Sequence, residues 1–287
     1  MSNYKIITDS ACDLPAKALS SLDVSIAPLS VLFRGETMAD TVGDAIKVLF
    51  EGLRKGETAT TSAVNPEGWS AVMEPLLKEG KDLLVLCFSS ALSTTYQSAV
   101  IAAEELREKY PDRKINVVDT LCAALGQGFL VTHACKKRDE GLTLDELTAW
   151  VEENKLHICH WVTVNDLMHL KRGGRISATT AIVGSMLQFK PVIHLNEEGK
   201  LINVGKIRGR KASMEHLAEK MSELMLPTDN DTVFITHGDC LDEAKELEKI
   251  LKKKCGVKKV FIGHIGAVIG SHTGPGVLAV FFFGEHR

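Results

Sequence analysis

The stretch Leu83–Phe88, LLVLCF, runs directly into SSALSTTYQSAVIAAEELREK (89–109), and this junction decides the architecture. Six apolar residues in succession suit a strand buried on both faces, the usual state of a parallel-sheet strand. The polar loop that follows opens a segment in which Ala99, Ala102, Ala103 and Leu106 recur at helical spacing. The same order appears on either side. KIIT (5–8) leads into DSACDLP, where Asp13 is expected to cap a helix with Pro15 in its first turn. INVV (115–118) leads into DTLCAALGQGFLVTHACKKRDEG, a predicted helix ended by Gly141. Strand, polar loop and helix, repeated, predict a parallel sheet.

A capping box, Thr143 with Glu146, opens one more helix, and beyond it the pattern changes. HICHWVTV, KPVIHLNEEGKLINVGKI, DTVFITHG, KKVFIGHIG and GVLAVFFFG read as strands, with Glu198-Gly199 at a hairpin turn and two helical runs between. The fold class is α/β. Residues 1–155 form an α/β domain with a mainly parallel sheet and flanking helices, and 156–287 an α+β domain with a mostly antiparallel sheet.

With 34 basic against 37 acidic residues the net charge is −3, which gives no electrostatic reason to expect nucleic acid. The seven cysteines are scattered without CxxC spacing, so reduced thiols are expected, with neither a disulfide frame nor a metal site. No apolar run reaches the ~18 residues of a membrane span, and no leader precedes the first strand. A cytoplasmic protein is expected.

Four polar clusters interrupt the apolar grammar: Thr60-Thr61-Ser62 before Asn65-Pro66, Ser89 to Thr95, Arg172 to Ser177, and GSHTGPG (270–276). The second lies between the carboxyl end of a buried strand and the start of a helix, where free N–H groups and the helix dipole favour an anion. A helix cap alone accounts for any one of these serines, but not for several hydroxyls together. Turn chemistry explains Asn65 and Pro66 and leaves Thr61 unexplained. Arg172 or Arg175 offers a planar fork of donors to a carboxylate or phosphate, although two glycines after a helix are also an ordinary stop. His272 sits among three glycines that let backbone approach a ligand closely. There is no GxSxG elbow, Walker loop or GxGxxG opening a strand–helix unit, and Gly126-Gln127-Gly128 falls inside a helix. The donors suit an anion held by neutral groups, which favours binding over catalysis. Two rivals stand beside this reading: a serine hydrolase of acyl esters using Ser93 and His272, and a protein holding a phosphorylated ligand.

The motifs ITDSACDLP (7–15), TSAVNP (61–66), SSALSTTYQSA (89–99), LKRGGRIS (170–177), GKIRGRKA (205–212) and GSHTGPG (270–276), in this order, resemble the DegV family of bacterial fatty-acid-binding proteins nearly end to end. The resemblance implies two domains with a tunnel between them for one long-chain fatty acid, and no cofactor or enzymatic activity of the chain's own. By motif it implies that Thr61, Ser93, His272 and Arg172 meet the carboxylate. It also implies a fatty acid kinase as partner, which brings ATP and converts the bound acid to an acyl-phosphate for phospholipid synthesis, with Arg208 in the docking loop. Thr94 and Val64 depart from the family's usual glycine and proline, which bears on the shape of the loops around the head group.

Overall fold

The computed structural model describes residues 4–40, 46–165, 167–177, 188–228 and 230–287. Strand β1 (Tyr4–Asp9) is followed by a 3-10 turn at Ser10–Cys12, helix α1 (Ala16–Ser21) and β2 (Val24–Ala27). Asp13 does not cap α1. It stands in the left-handed region at φ 55°, ending the 3-10 turn, while Asp9 caps that turn and Pro15 occupies the position before α1. The carboxylate nearer the strand end reaches the Ala11 N–H first, at 3.1 Å.

Next come β3 (Ser30–Phe33), β4 (Glu36–Ala39), α2 (Lys47–Arg54) and β5 (Ala59–Ser62). These strands form a small antiparallel sheet in the order β4-β3-β5. The threonine cluster expected in a loop is therefore a strand: its β-branched residues pair with β3, Thr61 opposite Val31. Helix α3 (Pro66–Lys78), β6 (Asp82–Cys87), α4 (Thr95–Lys109), β7 (Ile115–Asp119), α5 (Ala124–Asp139) and α6 (Leu144–Asn154) complete the first half. The parallel sheet runs β2-β1-β6-β7. Five successive residues of β6 are buried, as a doubly covered strand requires. The capping box of α6 is present in both directions.

The second half contains β8 (Ile158–Thr163), α7 (Met168–Arg172), β9 (Phe189–Leu195), β10 (Leu201–Arg208), α8 (Arg210–Leu224), β11 (Thr232–His237), α9 (Leu241–Cys255), β12 (Lys259–His264), α10 (Ala267–Thr273) and β13 (Leu278–Phe283). Its sheet runs β10-β9-β8-β13-β11-β12 and is antiparallel except for the β11–β12 pair. The hairpin at Glu198-Gly199 forms as expected, with Gly199 at φ 72°. All six residues of β13 are buried. Helix α5 touches β8, β11 and β13 and also the 3-10 turn after β1, so one apolar helix joins the two halves. Among the described residues no helix is long and apolar enough to cross a membrane.

Candidate functional site

An apolar cavity of about 420 Å³ lies between the loop after β6 and one face of the six-stranded sheet. That volume falls within the roughly 300–1,000 Å³ usual for small-molecule pockets. Its floor follows the sheet rung by rung: Ile193, Val162, Ala279 and Thr236 in register, then His160 opposite Phe281. His160 adds no charge to this wall. Its Nδ1 lies 2.8 Å from the Ile158 carbonyl and its Nε2 accepts from the Ala123 N–H at 3.2 Å. With both nitrogens engaged, burial pushes its pKa down to about 3 and the ring is neutral.

The cavity turns polar where α10, the start of α4 and the turn after α7 meet. His272 lies in the last turn of α10, not in a glycine loop. Gly270 is helical, and the glycine of this motif that needs positive φ first is Gly274, at 73°, which ends the helix. The imidazole Nε2 is 2.8 Å from Thr61 Oγ1, a pair in which either atom can donate. Behind the ring the backbone approaches very closely: a Cβ on Gly173 would lie 2.1 Å from His272 Nδ1. Burial first, and then the Arg175 charge, lower the His272 pKa to about 4, so the ring is neutral at physiological pH.

Arg175 is the cation of this end. Gly174, at φ 72°, reverses the chain after α7 and turns Arg175 back to the cavity wall, while Arg172 stays exposed on the helix and outside it. Arg175 Nε donates to the Leu92 carbonyl at 3.1 Å and Nη1 to the Gly173 carbonyl. Among the described residues no carboxylate pairs with it, and its partial burial lowers its pKa. A half-buried guanidinium whose partners among the described residues are carbonyls favours an anion beside it.

Ser93 lines the same cavity and also braces the turn that leads into α4. Its Oγ is 2.8 Å from Thr95 Oγ1 and accepts from the Thr95 N–H at 3.2 Å. Neither the hydrolase pair nor its third member is assembled among the described residues: Ser93 bonds to Thr95, His272 bonds to Thr61, and Gly173 occupies the space behind Nδ1. Thr94 takes φ −76°, which a β-branched residue adopts without strain, and Val64 is buried in the core just before Asn65 caps α3. Arg208 is exposed at the end of β10, donating to Gln188 Oε1 at 3.0 Å, away from the cavity lining. No group of three or more metal-binding side chains occurs among the described residues.

A family model described as an uncharacterised protein of the DegV family matches residues 3–285. A DegV domain-containing protein of Clostridium perfringens is 44% identical over 289 residues, covering 100% of this chain and 99% of its own. Among solved structures, a DegV family protein from Thermus thermophilus, described as fatty-acid binding, matches with a TM-score of 0.86 and 32% identity over 98% of this chain and 99% of its own. A stearic-acid-binding protein from Eubacterium ventriosum matches with a TM-score of 0.88 and 27% identity, over 98% of each chain.

Proposed function

The chain belongs to the DegV family, and from that premise we propose that it holds one long-chain fatty acid, tail in the apolar cavity and carboxylate at Thr61, Ser93, His272 and Arg175. The observation that carries this reading is Arg175: a half-buried cation without a carboxylate partner among the described residues, beside a neutral histidine, at the polar end of a greasy slot. A carboxylate there restores charge balance. Each buried methylene contributes about 0.8 kcal/mol, so a long tail supplies on the order of 10 kcal/mol before the costs of binding. The head group then needs only to avoid an unpaired charge. Arg172, which the family motif implied, gives way to Arg175 in this assignment because it stands outside the cavity lining.

In this reading the protein is a carrier and not an enzyme, works in the cytoplasm, and presents the acid to a fatty acid kinase that brings ATP and makes the acyl-phosphate for phospholipid synthesis. Arg208, exposed on β10, belongs to the docking surface. Native mass spectrometry of the purified protein tests the cargo. A single long-chain fatty acid per chain is expected; a phosphorylated metabolite in its place would overturn the reading. For the partner, Arg208→Ala is expected to slow kinase-dependent phosphorylation of the bound acid with lipid content unchanged, and unaltered phosphorylation contradicts the docking role.

A further inference from the structure

Two carboxyl groups meet at the root of the helix that carries His272. Asp40, just past β4, accepts the Val268 N–H through Oδ1 at 2.8 Å and the Ser10 hydroxyl through Oδ2 at 2.9 Å. Ser10 Oγ in turn accepts from the Leu29 N–H at 2.9 Å, so the acceptor is fixed from behind. Asp13 approaches from the turn after β1. It is 1% exposed, and among the described residues no side chain donates to either of its oxygens; the Gly266 N–H is the one backbone donor directed at it. The two acids face each other across Gly266, which precedes α10. A Cβ on that residue would lie 2.4 Å from Asp13 Oδ1 and 3.1 Å from Asp40 Oδ1, so any side chain there would be driven into the pair.

We propose that Asp13 carries a proton beside the Asp40 carboxylate at Gly266 and that the two act as positioning residues: with Asp13 neutral α10 is held in place, and loss of its proton loosens His272 and weakens fatty-acid retention. Two buried carboxylates at such an approach do not both ionise without strong repulsion. A buried Asp13 with no cation beside it among the described residues is accounted for if it carries the proton, because a neutral acid costs far less to bury than an unpaired charge. Among the described residues no cation compensates the pair: Asp9 at the end of β1 adds a further like charge to Asp13, the pair in turn raises the Cys12 thiol in the turn, and His264 stands two residues before Gly266. Burial raises Asp40 to about 6 and Asp13 well above the ordinary carboxylate value, and the Asp40 charge raises Asp13 further. Asp40 in its ionised form caps α10; a second negative charge at Asp13 pushes against the same Gly266–Val268 backbone.

This inference rests on the proposed function for its readout, and the test separates the two. Palmitate is titrated, by displacement of a fluorescent fatty-acid analogue, into lipid-free wild type, Asp13→Asn and Asp40→Asn from pH 6 to pH 9. Wild-type affinity is expected to fall about fivefold or more as the Asp13 proton leaves. Asp13→Asn, permanently neutral, is expected to stay within about twofold over the same range. Titration of His272 occurs on the acid side of this window, and Asp9, at about 7, titrates within it in wild type and variant alike, so the difference between the two profiles reports Asp13. Identical pH profiles for wild type and Asp13→Asn overturn the proposal, as does a wild-type affinity that is flat. Carboxyl carbon-13 NMR of the wild type gives a readout independent of lipid. Two coupled steps, one displaced to neutral pH or above, support the pair even if no palmitate binds; both residues titrating near 3.8 overturn it.

Discussion

At the scale of single residues, the site divides its labour between charge and neutral donors. Arg175→Ala removes the only cation proposed for the carboxylate, and a hydrogen bond to a charged group contributes about 1.5–3 kcal/mol. Fatty-acid affinity is expected to fall about tenfold or more, with Arg172→Ala as a near-neutral control. Equal effects of the two changes on displacement titrations would place the carboxylate elsewhere. His272→Ala is expected to weaken retention with little change in melting temperature. Ser93→Ala, in contrast, has two effects, since its Oγ both faces the cavity and accepts the Thr95 N–H just ahead of α4. A loss of about 1 kcal/mol of stability is expected from that hydrogen bond alone. The polar clusters stand out in the sequence as hydroxyls, arginines and an imidazole among apolar neighbours, and it is the family motif that singles out Thr61, Ser93, His272 and Arg172. The proposed exchange of Arg172 for Arg175 depends on Gly174 turning the backbone through positive φ, a conformation that the residue type permits and does not dictate.

At the scale of elements, the readable parts were those whose local pattern and tertiary burial agree. The continuous apolar run of β6 and the reciprocal cap of α6 are of this kind. The short half-exposed strands β2 to β5 were not visible, because four residues of mixed exposure carry no clear period and gain their pairing partners only in the folded chain. Helix α10 was hidden by its glycines. Its start is fixed by a carboxylate more than 200 residues away, Asp40 on Val268, which no local rule detects. Another long-range tie is testable by itself. The β9–β10 hairpin is pinned to the first half by Ser89 Oγ donating to the Gly199 carbonyl at 2.9 Å. Gly199→Ala combines a left-handed backbone with a Cβ placed 2.3 Å from Ser89 Oγ. A destabilisation of about 1–3 kcal/mol is expected in denaturant unfolding. An unchanged midpoint would show that the hairpin is not held there.

At the scale of the whole molecule, the buried acids and histidines pull stability in opposite directions with pH. Asp9, raised by burial to about 7, Asp40, raised to about 6, and Asp13 all hold protons that the unfolded chain sheds near 3.8. The folded state then binds more protons than the unfolded one, so this contribution falls as pH rises from about 4 to about 7. His160, lowered to about 3, and His237 and His272, lowered to about 4, are neutral when folded but take up protons near 6.5 when unfolded. Their contribution is present above 6.5 and is lost as pH falls towards 4. The two slopes oppose each other below 6.5, and only the acid slope remains above it. Thermal melts are expected to show the midpoint falling from pH 6.5 to pH 8; a midpoint that rises over that interval contradicts the raised carboxyl values. The same placement of charge gives the cavity its polarity: a neutral histidine and a guanidinium at one end, and satisfied, uncharged walls at the other. A crystal structure of the protein loaded with palmitate tests this most directly. The account predicts the carboxylate within hydrogen-bonding distance of Thr61, His272 and Arg175, with the tail running over Val162 and Ala279 toward His160. Palmitate bound in the reverse direction, or outside this cavity, would contradict it.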